Sequence, residues 1–252
     1  MTPFDPLAAL VLPQDALVDR RVPKTLLIEN GAPTAADKRR IRKGIEDLRW
    51  LAALKPTTIG VAEYRDADRE YLEIAILSLA LRANAHAERL VELVHRAIPY
   101  PMLLIVWRND ATELSLAHKR WSRNGTGNTV IDGEIVSVRL TGECTDQTIV
   151  AFRDALALSG QPRSSLHALY RGWIDAVQAL RAAEITGTFS LLSSKSAAAD
   201  RAAALQECRL LDDRIAEICA TADRERQVSR RVEMNLELAR LRTNREAARA
   251  KL

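Results

Sequence analysis

The stretch Met102-Leu103-Leu104-Ile105-Val106-Trp107-Arg108 decides the fold. It is an unbroken apolar run of strand length. A strand with one wet face alternates apolar and polar residues, so a continuous run predicts a central strand covered on both sides. Pro99 and Pro101 precede it and Asn109-Asp110 follows it as a turn signal. Working outward, Glu113 to Trp121 alternates as a strand, with Leu114, Leu116 and His118 on one face and Ser115, Ala117 and Lys119 on the other. Asn124-Gly125-Thr126-Gly127-Asn128 reads as a hairpin-type loop into a further strand at Glu134 to Leu140. On the N-terminal side, Tyr71 to Leu79 reads as a strand, and 85–97 as a helix placing Leu90, Val91 and Val94 inward. A mixed sheet built from 71–79, 102–108, 113–121 and 134–140 is expected, with 102–108 central.

Nearer the N-terminus, Thr25 to Glu29 reads as extended. Thr34 looks like an N-cap, with Asp37 three residues on. The helix it starts is expected to run to about Leu54, with Ile41, Ile45 and Leu48 on one face and Pro56 ending it. Thr57 to Glu63 reads as a short strand. Beyond Asp146 the pattern turns helical: 146–158, stopped at Gly160-Gln161-Pro162, and then 164–183, with Leu166, Leu169, Trp173, Val177 and Leu180 on one face. After a Ser/Thr-rich connector the last fifty or so residues contain no Gly or Pro. Two heptad-like seams run through them, Leu205-Cys208-Leu211-Ile215-Ile218-Ala222 and Met234-Leu238-Leu241-Arg245-Ala248-Leu252. The fold class is therefore α+β: a mixed-sheet domain with flanking helices, then a helical region and a long helical arm. The expected divisions are a loosely structured leader at 1–21, an α/β domain at 22–145, a helical subdomain and connector at 146–195, and an arm at 196–252, coiled-coil-like or a docked hairpin.

Composition bounds the function. The chain has 252 residues, of which 47% are hydrophobic and 28% charged, enough for a core and a charged surface. Aromatics are only 4%. The three cysteines, Cys144, Cys208 and Cys219, form no CxxC pair, which suits a reducing compartment. No apolar run approaches the length of a membrane span. The expectation is a cytoplasmic protein without a metal or cofactor. No Walker, GxGxxG or GxSxG motif is present, and His86, His95, His118 and His167 show no metal-ligand spacing. Glu63, Glu70, Glu73 and Glu113 lie on or near strands, but their spacing fits no compact nuclease pattern.

The net charge of +4 is modest, and the cations are clustered. Lys38, Arg39, Arg40, Arg42 and Lys43 share the first helix; Lys119, Arg120 and Arg123 surround Trp121 at a strand end; Arg224, Arg226, Arg230 and Arg231 lie mid-arm, where the apolar spacing lapses. Cations displace condensed counterions from a phosphate backbone, and a tryptophan can stack on a base. The strand-end set and Lys38, Arg39 and Arg40 are therefore candidate nucleic-acid contacts. The mid-arm arginines are candidate partner contacts, and the arm is a candidate for self-association. The competing view makes each cluster a solvated face, with Trp121 packing inward as a strand-end plug.

Several segments together resemble the bacterial family called domain of unknown function 4391. They are Val22-Pro23-Lys24, the stretch Ile45 to Pro56, Ile98-Pro99-Tyr100-Pro101, Leu114-Ser115-Leu116-Ala117-His118-Lys119-Arg120, and Arg224-Glu225-Arg226-Gln227 through Asn235-Leu236-Glu237-Leu238. Their order and spacing carry the likeness, from about residue 20 to the C-terminus. The arm departs from the family's usual pattern in its richness in Arg and Ala. The resemblance implies a setting rather than an activity: such proteins are typically encoded beside helicases and DNA methyltransferases of restriction-type or anti-phage loci. It carries over no catalytic residues. The expectation is a non-catalytic accessory subunit of such a complex, with a helicase and a DNA methyltransferase as partners. The alternatives are a metal-dependent nuclease component and a stand-alone nucleic-acid-binding module.

Overall fold

The computed structural model describes residues 4–108, 111–122, 129–140 and 146–252. In chain order the helices and strands are α1 (Pro6–Ala9), β1 (Leu17–Arg21), α2 (Lys24–Asn30), α3 (Ala35–Gly44), β2 (Ile45–Leu54), α4 (Pro56–Ile59), β3 (Tyr64–Arg65), β4 (Glu70–Tyr71), β5 (Ile74–Leu81), α5 (Ala87–Ala97), β6 (Met102–Arg108), β7 (Ala111–Trp121), β8 (Thr129–Leu140), α6 (Gln147–Leu156), α7 (Leu166–Thr186), α8 (Lys195–Ala222) and α9 (Val228–Arg249). The class is α+β. The chain divides into two compact units, one up to Val177 and the other Gln178–Leu252.

The first unit is built on a six-stranded sheet of order β1-β2-β5-β6-β7-β8. Only β5 and β6 run parallel, joined by the α5 crossover that parallel neighbours require. The other neighbours are antiparallel. As its continuous apolar run implies, β6 is interior, and Met102 to Val106 are all buried. Alternation divides its residues between two covered faces. Met102, Leu104 and Val106 join Ala75, Leu77 and Leu79 of β5 in a core with Leu27, Ile41, Leu90, Leu93 and Val94 from α2, α3 and α5. Ile74, Ile76, Leu103 and Ile105 are buried on the opposite face. The Tyr170 hydroxyl of α7 bonds there to the backbone of the neighbouring strands β6 and β7, donating to Met102 O at 2.7 Å and accepting from Ala117 N at 2.9 Å.

Four local expectations are corrected. The helix capped by Thr34 ends at Gly44, and residues 45–54 are strand β2. Its buried residues, Ile45, Leu48, Ala52 and Leu54, fall at near-helical spacing because register shifts interrupt the β2–β5 pairing between Ile45 and Asp47 and between Trp50 and Ala52. Residues 25–29 lie within helix α2 rather than an extended segment, because Pro23 sits in the N-cap position and Leu27 points into the core. Residues 57–63 begin inside the short helix α4, which Gly60 ends in a left-handed conformation at φ 63°. The segment expected as a loose leader is ordered from Phe4 onward. Phe4 packs against Phe152 at 6.1 Å between ring centroids, Leu10 is fully buried, and β1 pairs with β2.

In the second unit, α8 and α9 form an antiparallel hairpin. Arg214–Glu237 at 3.3 Å, Arg245–Asp212 at 3.2 Å and Lys251–Glu207 at 2.8 Å set its direction. The two seams face each other: Leu205, Cys208 and Ile218 are buried, as are Leu238 and Ala248. The apolar stripe of each helix is thus covered by the other. Cys208 and Cys219 are free thiols, and Cys144 lies outside the described residues. Among the described residues, no helix is long and apolar enough to cross a membrane.

Candidate nucleic-acid interface

Helix α3 begins with Thr34, whose hydroxyl oxygen accepts from the Asp37 N–H at 3.1 Å and whose O–H donates to Asp37 Oδ2 at 2.8 Å. Asp37 points inward, 1% exposed, and Arg89 of α5 grips it with two bonds, at 3.0 and 2.8 Å. Arg40 adds a third cationic contact at 3.1 Å. The Arg89 guanidinium holds the Asp37 carboxyl far below the usual carboxylate range, against the opposing effect of burial. Ile41 and Gly44 continue the inward stripe, so Lys38, Arg39, Arg42 and Lys43 must face out. All four are exposed, and none makes an ion pair or side-chain hydrogen bond with a described residue. The helix's one acid, Asp37, is committed to Arg89 and Arg40, so nothing on α3 neutralises this face.

The last turn of α3 passes close to the turn before α5. A Cβ on Gly44 would sit 2.7 Å from Leu90 Cδ1 and 3.3 Å from the Ala85 Cβ. Between the two elements runs a groove of about 410 Å³, floored by Ala36, Ala85 and Leu90 and rimmed by Arg39, Arg40, Lys43 and His86.

The strand-end cluster is arranged differently from expectation. Lys119 is 1% exposed, beneath α5, and its ammonium donates to the backbone oxygen of His95. Burial lowers its pKa to about 8. Arg120 is half-buried, with Nε 3.5 Å from an Asp132 carboxylate that also takes Arg69 at 2.6 Å. Trp121 is half-buried, and its backbone N–H donates to the Asp68 backbone oxygen at 2.7 Å. Arg123 lies outside the described residues. Burial takes Lys119 away from any phosphate, and the described members of the cluster do not form a continuous basic surface.

The mid-arm arginines mark the bend of the hairpin. Arg224, Arg226, Arg230 and Arg231 are all exposed there. Arg230 has a distant partner, Glu225, at 3.8 Å.

Residues 10–244 match the family described as Domain of unknown function (DUF4391). The chain belongs to this family. No curated protein and no solved structure matches it. The matched span of this DUF4391 chain contains both the α3 face and the hairpin bend.

One cluster escaped the sequence reading. Tyr64, Tyr71, His118, His167 and Tyr170 meet where β4, β7 and α7 converge. The Tyr71 hydroxyl lies 2.5 Å from His118 Nδ1, and the Tyr64 ring stacks on His167 at 4.7 Å. Burial is the first cause lowering the His118 pKa to about 4, so the imidazole is neutral at pH 7. These rings fasten α7 to the sheet of the DUF4391 domain. Single aromatics spread over a hundred residues carry no periodic signal, so only the fold could assemble them.

The strand carboxylates do not converge. Glu70 pairs with Arg65, Glu73 pairs with Lys55 at 3.1 Å, and Glu113 stands opposite Arg139 in the β7–β8 register. Glu63 is exposed in the loop before β3. Among the described residues no group of three His, Cys, Asp or Glu side chains could hold a metal ion.

Proposed function

We propose that this chain is a non-catalytic accessory subunit of a DNA restriction-modification or defence complex, contacting nucleic acid through α3 and a partner protein through the hairpin bend. One observation carries the reading: Lys38, Arg39, Arg42 and Lys43 share the outer face of α3 and pair with no acid among the described residues. A solvated face usually interleaves both signs of charge. Unpaired cations one helical turn apart release counterions when they meet successive phosphates, a sequence-independent source of affinity. The basic first helix, read from sequence as one of three candidate sets, is thus the best supported, with Arg40 held at its edge by Asp37. The family resemblance supports the setting and the partner classes, a helicase and a DNA methyltransferase.

The test is a titration of the purified chain with labelled single- and double-stranded DNA at several salt concentrations. Exchanging Lys38, Arg39, Arg42 and Lys43 for Gln keeps helix-compatible side chains and removes the charge. The variant should bind more weakly, and the slope of log K against log salt should fall by about 0.7–0.9 per lost contact. Absence of binding by the unaltered chain at low salt overturns the α3 assignment.

A further inference from the structure

The groove beside α3 has properties that phosphate contact does not use. Its floor is apolar, formed by Ala36, Ala85 and Leu90, whereas a phosphate needs only donors and charge. Its volume of about 410 Å³ falls within the range of about 300–1,000 Å³ typical of small-ligand sites. Its walls carry flat groups: the guanidinium groups of Arg39 and Arg40 and the imidazole of His86. Arg40 is not free to swing, because its Nη1 is held at 3.1 Å by Asp37, which is itself fixed by Arg89 and Thr34. Asn84 adds an exposed side-chain amide, set on a left-handed turn at φ 62° that asparagine tolerates well. Neither the Asn84 amide nor the His86 ring has a side-chain partner among the described residues.

We infer that this groove receives one unpaired nucleobase of a single-stranded nucleic acid whose backbone lies along α3, which makes the chain selective for single strands over duplex. The inference rests on the reading of α3 as the phosphate-contacting face. An apolar floor with guanidinium and imidazole walls suits the π-face of a base. An amide carrying both a donor and an acceptor suits a base edge. Phosphates on either side of the base would reach Arg39 and Lys43 at the rim, and Lys38 and Arg42 farther around the helix. Bases inside a duplex are stacked and paired, so entry from a duplex costs the unstacking energy.

The experiment measures binding of the full chain to four labelled oligonucleotides with equal numbers of phosphates: single-stranded DNA, the same strand with abasic sites, single-stranded RNA, and duplex DNA. A pocket-filling variant, Ala36→Phe, changes an exposed position outside the core. The base-bearing DNA strand should bind about tenfold more tightly than the abasic strand, the effect of one stacked base. Ala36→Phe should erase that difference while leaving the salt slope unchanged. The DNA and RNA arms distinguish which strand is preferred. Equal affinity for ordinary and abasic strands with a steep salt slope overturns the pocket and leaves the α3 reading standing. Duplex binding as tight as single-strand binding does the same. Inorganic polyphosphate competing as well as unlabelled single strand also overturns the pocket, because polyphosphate has no bases. If no oligonucleotide binds at low salt, the α3 reading fails and the pocket fails with it.

Discussion

Arg89 and Asp37 join α5 to α3 through two bonds, Nε to Oδ1 at 3.0 Å and Nη2 to Oδ2 at 2.8 Å. The carboxylate is buried and its cap, Thr34, starts the helix that carries the basic face. Removing the charge leaves Arg89 with Glu92 as its only acidic partner among the described residues and loosens Arg40 as well. Asp37→Asn should lower the melting temperature by several degrees. The pH dependence has a definite sign. The folded carboxyl titrates below its unfolded value of about 3.9, so its contribution is complete above that value and lost as pH falls through the depressed one. Thermal melts from pH 2 to 7 should show a shallower acid limb in Asp37→Asn. Superimposable acid limbs would show that the pair does not couple folding to protonation.

A second titration lies beneath α5. Lys119 is buried against His95, whose ring is hydrogen-bonded to Ser115 at 2.9 Å. Burial lowers the Lys119 pKa from 10.5 to about 8, so between those values the unfolded chain holds the proton more tightly than the folded one. Stability should therefore rise as pH increases from 8 to 10.5. His95 is lowered from 6.5 to about 3, by burial first and the Lys119 charge second, so its contribution is lost as pH falls below 6.5. Urea unfolding at pH 8 and 10.5 measures the Lys119 effect, and Lys119→Met should abolish it. Lys119→Glu should prevent folding, whereas a surface lysine would tolerate the change.

Lys119 also marks the limit of what the sequence disclosed. Alternation along β7 correctly placed it on the face of Ser115 and Ala117; that face looked wet because only Leu114 and Leu116 were apolar enough to signal a core. The sheet is covered on both sides, and the helix responsible was legible from Leu90, Val91 and Val94, but not where it lay. The β2 segment failed for another reason. Bulges in its pairing put Ile45, Leu48 and Ala52 at helical spacing, and no local rule separates that pattern from an amphipathic helix. The uninterrupted run of 102–106 had no such competitor and was readable outright. Of the candidate site, the cations of α3 were visible in the sequence. Their lack of partners, and the groove beside them, depend on Asp37 turning inward and on the approach of Ala85 and Leu90.

Packing between α2 and α5 supplies a third prediction. A Cβ on Gly31 would lie 2.6 Å from the backbone oxygen of Leu93 and 2.7 Å from the Ala97 Cβ. Backbone cannot rotate away as a side chain can, so Gly31→Ala should cost about 1–3 kcal/mol, the usual penalty of overpacking. At Gly160 the nearest contact is ordinary, 3.9 Å from Asp154 O, and Gly160→Ala serves as a near-neutral control. Equal denaturation midpoints for the two variants would show that the α2–α5 contact yields without cost.

The docking proposed for the hairpin bend can be tested separately from folding. Arg231 lies in the first turns of α9, which has no acid in its first turn and no side-chain cap from Gln227. A cation there opposes the helix dipole, at a cost of about 0.3–1 kcal/mol. Arg231→Glu should therefore raise the melting temperature slightly. Arg230→Glu loses its contact with Glu225 and should be close to neutral. Beside these arginines, Val228, Val232 and Leu236 recur every fourth residue at 74%, 53% and 60% exposed, an apolar stripe outside the seam formed by Leu238 and Ala248. A surface combining uncovered apolar side chains with cations set against their own helix suits an acidic, amphipathic partner element. Charge reversal at Arg224, Arg226, Arg230 and Arg231 should leave the far-ultraviolet circular dichroism intact and abolish co-purification of the proposed helicase or methyltransferase partner from the native host. Val232→Ser with Leu236→Ser should weaken the same association without opening the hairpin. Leu238→Asp, within the seam, should lose helicity as well. Undiminished co-purification by the charge-reversed chain would remove the bend as the docking surface.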